Sequence, residues 1–344
     1  MKQDELFMSR ALELALKGGI SVAPNPLVGA VIVHKNTIIG EGFHEFYGGP
    51  HAEVNAINSV ENKSLLPEST IYVTLEPCAH FGKTAPCANL LIEHRFKRVF
   101  IAMRDPFSEV DGKGIELLTK AGIEVIVGVL EKEAIQLNKR FLTFHVKKRP
   151  YITLKWAQTK DGFIAPESKE TANVFWISSL ITQILTHAMR AHEQAILVGW
   201  KTVEADNSSL TTRAFPGPNP IRVIIDPNLQ SNPKSIVYTD EHKTIVINKL
   251  KNEKQNNVQY IQLTQITLKS IVETLADKGI QSVIIEGGQN TLVQFIQHDL
   301  WDEALVIVGN SIIENGVKAP QLKKTPIHFQ SCDSDKIYKY INKS

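Results

Sequence analysis

Cysteine is scarce in this chain of 344 residues: there are three, Cys78, Cys87 and Cys332. So few, and an odd number, exclude a disulfide-stapled scaffold and fit a reducing compartment. No apolar run approaches the roughly 18–20 residues that a membrane-spanning helix needs. The segment MKQDELFMSRALELALKGG carries Lys2, Asp4, Glu5, Arg10, Glu13 and Lys17, so it lacks the unbroken apolar core of a signal peptide. A cytoplasmic protein without a membrane partner is therefore expected. Charge of one sign is not in excess either. With 38 basic and 36 acidic residues the net charge is +2, which offers no broad electrostatic footprint for nucleic acid. No G-x-G-x-x-G follows any predicted strand, so a Rossmann dinucleotide site is not expected. Internal repeats and low-complexity tracts are also missing.

What is present is an alternation of strand and helix patterns, long enough for two domains. In the first half, strands are predicted over 27–33 and 37–43, turning at Lys35-Asn36, and over 71–76, 98–103 and 123–129. Helices are predicted over a first segment capped by Asp4, then over 51–60, 88–94, 114–122 and 131–145. The charged, proline-ended KKRP (147–150) reads as a joint, giving domains 1–147 and 148–344. Beyond it, strands are expected over 151–157, 161–165, 194–199, 221–226, 243–248, 258–263, 282–287 and 303–309. Helices are expected over 179–192 and 268–279, and after Asn290-Thr291. NEKQNN (252–257) reads as an exposed turn. The whole is an α/β layer architecture.

One cluster in the first half carries chemistry. His51-Ala52-Glu53 is followed, 25 residues after Glu53, by Cys78, and then by Cys87. An imidazole and two thiolates make three zinc ligands, leaving the fourth tetrahedral position for water, as in catalytic zinc sites. Both ligand groups are expected where helices begin, and a helix N-terminus favours thiolate. Glu53 can take the water's proton and pass it to a leaving amine. The H-x-E…P-C pattern is the zinc-deaminase signature. A closed structural site with His80 as fourth ligand is the alternative, but it leaves Glu53 without a role. Cys332 stands alone and reads as structural. In the second half, Glu286-Gly287-Gly288 ends a strand and Asn290-Thr291 opens a helix. Such a turn lets backbone N–H groups approach a phosphate, although a plain tight turn has the same pattern.

PNPLVGAVIV (24–33), GFHEFYGGPHAEVNAI (42–57) and TLEPCAHFGKTAPC (74–87), with eight residues between the cysteines rather than two, closely resemble the bifunctional riboflavin-biosynthesis deaminase/reductase family. LKWAQTKDGFIA (154–165), AILVGWKTVEADNSSLTTR (195–213), PIRVIID (220–226) and VIIEGG (283–288) resemble its reductase half. The resemblance implies a cytidine-deaminase-like three-layer domain followed by a dihydrofolate-reductase-like domain. It implies one zinc per chain and NADPH as cofactors, and a phosphorylated pyrimidine as substrate. In the deaminase half, Asn25, His44, His80 and Lys83 would line the pyrimidine site. In the reductase half, Ala157, Trp176, Thr202, Asp206 and the run Gly287, Gly288, Gln289, Asn290, Thr291, Leu292, Val293 and Gln294 would face NADPH. Lys155, Arg190, Leu210, Arg213 and Glu286 would face the substrate. Arg190 and Arg213 suit phosphate oxygens, and Lys155, inside an apolar strand, is expected to pair with Glu286. Trp176 would flank the nicotinamide or simply pack.

The chain departs from the family pattern at Ala85 (usually proline), at Phe107-Ser108 (usually Asn-Pro), and in a longer turn at 167–179, where Val174 replaces a substrate-contacting serine. The expected function is zinc-dependent deamination of a riboflavin precursor followed by NADPH-dependent reduction of its ribosyl group. The alternative is a tRNA or nucleotide deaminase with an accessory domain. Self-association into a homo-oligomer is left open.

Overall fold

The computed structural model describes residues 2–79, 86–106, 111–167 and 175–342. By its internal contacts the chain divides into two compact units, Met1–Lys148 and Arg149–Ser344, so the division falls inside KKRP.

Among the described residues the first unit contains α1 (Lys2–Leu16), β1 (Gly29–His34), β2 (Thr37–Phe43), α2 (Ala52–Ser59), β3 (Thr70–Val73), α3 (Cys87–Glu93), β4 (Arg98–Ile101), α4 (Lys113–Lys120), β5 (Glu124–Val127), α5 (Glu131–Leu137) and α6 (Lys139–Lys147). Its five strands form one sheet in the order β2-β1-β3-β4-β5. β1 is antiparallel to β2 and β3, and β3, β4 and β5 run parallel. Side chains on a strand alternate between faces, and β1 shows how this builds three layers. Ala30 and Ile32 pack with Ala56 of α2, Leu91 of α3 and Leu118 of α4. Val31 and Val33 pack on the other face with Met8 of α1 and Ala134 of α5.

The β1–β2 turn falls at Lys35-Asn36 as expected, with both residues in the left-handed region (φ 45° and 65°). Positive φ at both central positions is what a two-residue hairpin of matching twist requires. The helix expected over 131–145 is instead two, α5 and α6, meeting at Asn138. Asn138 is buried, and its amide accepts from Leu27 N (2.8 Å) and donates to Leu27 O (2.9 Å). Leaving those groups unpaired would cost about 1–3 kcal/mol, enough to outweigh an uninterrupted helix.

The second unit contains β6 (Tyr151–Gln158), β7 (Phe163–Pro166), α7 (Leu180–Ala191), β8 (Ala195–Gly199), α8 (Trp200–Asp206), β9 (Ile221–Ile225), α9 (Ile236–Thr239), β10 (Thr244–Asn248), β11 (Glu253–Gln255), β12 (Val258–Gln262), α10 (Leu268–Asp277), β13 (Ser282–Ile285), α11 (Gln289–Gln297), β14 (Glu303–Val308), β15 (Gly316–Lys318), β16 (His328–Cys332) and β17 (Asp335–Ile341). Ten of these strands form one sheet, in the order β11-β12-β10-β9-β8-β13-β6-β14-β17-β16, and β15 pairs with β7. From β12 to β14 every pairing is parallel. Strands buried on both faces read as continuous apolar runs, and Ser282–Ile285 and Thr244–Asn248 are buried at every position.

Two sequence expectations change here. NEKQNN is not only a turn: Glu253–Gln255 is an edge strand antiparallel to β12, with the bend at Asn256 (φ 52°). After residue 310, where no element was expected, three strands follow, and β17 completes the pairing of β14.

Candidate active sites

In the first unit the apolar core delivers three donors to one point. His51 occupies the N-cap of α2, Cys87 is the first residue of α3, and Cys78 lies in the turn after β3. One ligand atom from each lies within 4.8 Å of the others. His51 Nδ1 is 3.2 Å from Cys87 Sγ and 3.6 Å from Cys78 Sγ, and Cys87 N–H donates to Cys78 Sγ at 3.3 Å. One borderline nitrogen and two soft sulfurs converging this closely fit zinc. A hydrogen bond with Cys87 draws the Cys78 thiol down to about 4 against the opposing effect of burial, and His51 adds to the shift.

Glu53 stands in the first turn of α2 with 3% of its surface exposed. Burial, and then the charge of Cys78, push its carboxyl up to about 7. A second chain of contacts approaches the same place. The His44 and His51 rings meet edge-on at 5.6 Å. His44 Nδ1 is 2.9 Å from Pro50 O, and His44 Nε2 is 3.0 Å from Asn25 Nδ2. A carbonyl can only accept, so Nδ1 carries the proton and Nε2 accepts from the Asn25 amide. Burial holds His44 below its ordinary value, which keeps it neutral for that role. The Asn25 carbonyl oxygen then faces no bond to His44 and can accept from a ligand. His80 and Lys83, with Ala85 between the cysteines, lie outside the described residues, as do Phe107, Ser108 and Val174.

In the second unit Lys155 of β6, Arg190 of α7 and Glu286 just after β13 meet in the interior. Arg190 grips Glu286 with two bonds, Nε to Oε1 at 2.7 Å and Nη2 to Oε2 at 2.8 Å, and its Nη1 donates to Thr211 O at 3.0 Å. Lys155 Nζ lies 3.6 Å from Glu286 Oε2, the pairing expected from sequence. Burial would raise the Glu286 carboxyl, but the charges of Arg190 and Lys155 overcome it and hold the group at about 2. Arg190 is thus committed to Glu286 and Thr211. Arg213 remains exposed, with one bond to Ser209 Oγ at 3.2 Å. Between them Leu210 is buried in the left-handed region (φ 55°), a conformation that β-hairpin glycines adopt freely and leucine does not.

The glycine turn follows Glu286 at the same end of β13. Gly288 is the N-cap of α11 at φ 64°. A Cβ there would sit 3.1 Å from Thr202 Oγ1, so Thr202 of α8 borders the turn, and a Cβ on Gly199 would meet Thr291 Oγ1 at 3.0 Å. Gln289, Asn290 and Thr291 form the first turn of α11, followed by Val293 and Gln294, while Leu292 and Phe295 point into the core. Leu292 therefore offers a ligand its backbone only. Asp206 ends α8, and Ala157 pairs with Ile307 across β6 and β14. Trp176 is 54% exposed, so it is not a packing residue of the core.

Sequence reasoning missed two residues of these sites. Glu76 is buried and accepts four backbone N–H groups beside the Cys78 turn. His187, one turn before Arg190, is buried with no hydrogen-bond partner at Nδ1. Nothing in the spacing of either marks it, although Glu76 lies in a segment that carries the resemblance.

Fold and donors together define a zinc-dependent deaminase and a nicotinamide-dependent reductase carried on one chain. Residues 1–103 match the cytidine and deoxycytidylate deaminase zinc-binding region, and residues 150–332 match the RibD C-terminal domain. The chain belongs to the RibD family of bifunctional riboflavin-biosynthesis enzymes. It is 41% identical to the riboflavin biosynthesis protein RibD of Aquifex aeolicus, over 93% of this chain and 90% of that one. To RibD of Escherichia coli it is 34% identical, over 90% and 89%. The crystal structure of a diaminohydroxyphosphoribosylaminopyrimidine deaminase/5-amino-6-(5-phosphoribosylamino)uracil reductase from Thermotoga maritima superposes with a TM-score of 0.90 at 38% identity, covering 99% of both chains. RibD of Acinetobacter baumannii gives 0.89 at 33%, covering 100% and 99%. The protein is therefore a deaminase and a reductase of riboflavin biosynthesis, with zinc and NADPH as cofactors. Its units are cytidine-deaminase-like and dihydrofolate-reductase-like. Because the match extends through the reductase half, a tRNA or nucleotide deaminase with an accessory domain is displaced as the reading. No helix among the described residues is long and apolar enough to cross a membrane.

Proposed function

We propose that this protein deaminates 2,5-diamino-6-(ribosylamino)-4(3H)-pyrimidinone 5′-phosphate and then reduces the ribosyl group of the product to ribityl, with domains meeting at the 147–150 joint. The observation that carries the first step is the convergence of His51, Cys78 and Cys87 within 4.8 Å, with buried Glu53 two residues from His51. Zinc bound there supplies Lewis acidity and a water whose pKa falls to about 7. Glu53 is the proton carrier: it accepts from the attacking water and delivers to the departing ammonia. Asn25, held by His44, presents its carbonyl to the donor edge of the pyrimidine. The family resemblance assigns His80 and Lys83 to substrate binding as well, and a lysine suits the ribose phosphate.

For the second step, NADPH supplies a hydride to C1′ of the sugar. This chain's contribution is positioning. The 287–294 turn, Thr202, Asp206, Ala157 and Trp176 hold the cofactor. Lys155, Glu286 and Leu210 hold the sugar, and Arg213 reaches the phosphate, with Arg190 fixing Glu286 and the Thr211 carbonyl rather than binding phosphate alone. The work is done in the cytoplasm, where reducing conditions keep Cys78 and Cys87 as thiols available to metal. Its partners are small molecules rather than nucleic acid. Ammonia release followed by NADPH oxidation on the pathway substrate tests the whole reading. Zinc-loaded protein that oxidises NADPH on that substrate with no ammonia released would overturn the order of steps, and protein that does neither would overturn the substrate.

A further inference from the structure

We propose that Glu76 is a positioning residue of the deaminase metal site, tying the turn that carries Cys78 to the start of α4. The inference rests on the assignment of His51, Cys78 and Cys87 as zinc ligands and deepens it. Glu76 is 4% exposed. Its Oε1 accepts from Gly114 N (3.0 Å) and Ile115 N (3.4 Å), and its Oε2 from Gly112 N (3.1 Å) and Asp105 N (3.4 Å). Two of those donors, Gly114 and Ile115, lie in the first turn of α4, whose N–H groups have no partners within the helix, and Gly112 is its N-cap. Gly112, at the N-cap, supplies no side-chain cap of its own. A buried carboxylate is tolerated only where such donors meet it, and a helix N-terminus suits its charge.

The cap comes from a residue two positions before a metal ligand, and this couples helix to site. The next residue, Pro77, lies so close that a Cβ on Gly114 would be 2.0 Å from Pro77 O. Glycine at 114 lets the turn and the helix touch, and the carboxylate locks them in that contact. From the other side, Cys78 O accepts from Ala88 N at 3.1 Å, and Cys78 Sγ accepts from Cys87 N at 3.3 Å. The backbone of Cys78 is therefore fixed at both ends, by α4 through Glu76 and by α3 directly. An ordinary helix cap would stabilise α4 wherever it stood. This one also sets where a sulfur points.

The test is zinc affinity in the full chain, measured by competition with a chelator, with NADPH-dependent reduction as a check on the rest of the molecule. Glu76→Gln places an amide NH2 against two N–H donors while leaving all three ligands in place. Supporting groups around metal ligands typically contribute 10–100-fold in affinity, and a loss of that size is expected, with Glu76→Asp intermediate. A Glu76→Gln protein that folds and binds zinc within twofold of the parent overturns the proposal. A parent that binds no zinc overturns the ligand assignment instead. If neither variant folds, hydrogen exchange in the unaltered protein decides. Coupling is reciprocal, so stripping zinc must speed exchange at the Gly112 and Gly114 amides about tenfold or more, and unchanged exchange there overturns the proposal.

Discussion

Glu53 and the Lys155–Arg190–Glu286 cluster place charge in the interior in opposite ways. Among the described residues no cationic side chain grips Glu53, and burial, with the charge of Cys78, lifts its carboxyl to about 7. Glu286 is gripped by Arg190 and stays near 2. For Glu53, replacement by glutamine keeps the shape and removes the proton acceptor. Deamination is expected to fall at least 10²–10⁴-fold, about 3–5 kcal/mol of barrier, with zinc content unchanged. Reduction of pre-deaminated substrate is expected to continue at close to the parent rate. Loss of both activities with zinc retained would point to one composite site.

In the second unit, pH acts through His187 and Glu286. Burial first, and then the charges of Arg190 and Arg213, lower His187 to about 4. In the unfolded chain a histidine titrates near 6.5, so between about 6.5 and 4 the unfolded state takes up a proton that the folded state refuses. Stability is then present above about pH 6.5 and is lost as pH falls toward 4. Glu286 adds a second loss between its ordinary range near 4.5 and about 2, as the carboxylate that Arg190 holds is protonated. The denaturant midpoint of the second unit is expected to drop in these two windows. His187→Asn should flatten the upper one only. A parent midpoint that stays level from pH 7 to 4 would remove His187 from this account.

At the scale of elements, the sequence patterns that were legible are those enforced locally. The Lys35-Asn36 hairpin, the Cys87 helix start and the buried run of β13 follow from turn chemistry and apolar content within a few residues. The elements that were not legible depend on distant partners. Asn138 divides a helix because Leu27 offers two backbone groups. Glu76 stands in plain view in TLEPC, but no spacing announces that the N–H groups from residues 105–115 converge on it. β17 is partly exposed, without a clean alternation, and exists because β14 has a free edge for it.

The α11 turn gives an element-scale expectation. Gly288→Ala puts a Cβ at φ 64°, costing about 1–2 kcal/mol, and sets it 3.1 Å from Thr202 Oγ1. NADPH affinity should weaken roughly tenfold, as read by fluorescence titration, while ammonia release is unaffected. Unchanged NADPH binding would mean that the turn is structural only.

For the whole molecule, two compact units with separate cores imply separable chemistries. Stripping metal with a chelator should abolish ammonia release and restore it on zinc addition, and NADPH-dependent reduction of pre-deaminated substrate should continue throughout. Metal analysis is expected to give about one zinc per chain.

The sheet order of the second unit also sets a timetable for synthesis. β6, the first of its strands to be made, is flanked by β13 and β14, from 282–285 and 303–308, and β14 in turn waits for 335–341. The ribosome completes the deaminase unit early, because its sheet closes within the first 127 residues. β6 then leaves the exit tunnel with neither neighbour in existence. At about 5–20 residues per second, an apolar strand destined for the interior of the sheet spends on the order of ten seconds unpaired after the first domain is finished. Cells making many copies of this enzyme at once would thus present the most unpaired Tyr151–Gln158, and aggregation during overexpression should depend on chaperones that hold that segment. Slowing translation after residue 308 should matter less than slowing it before.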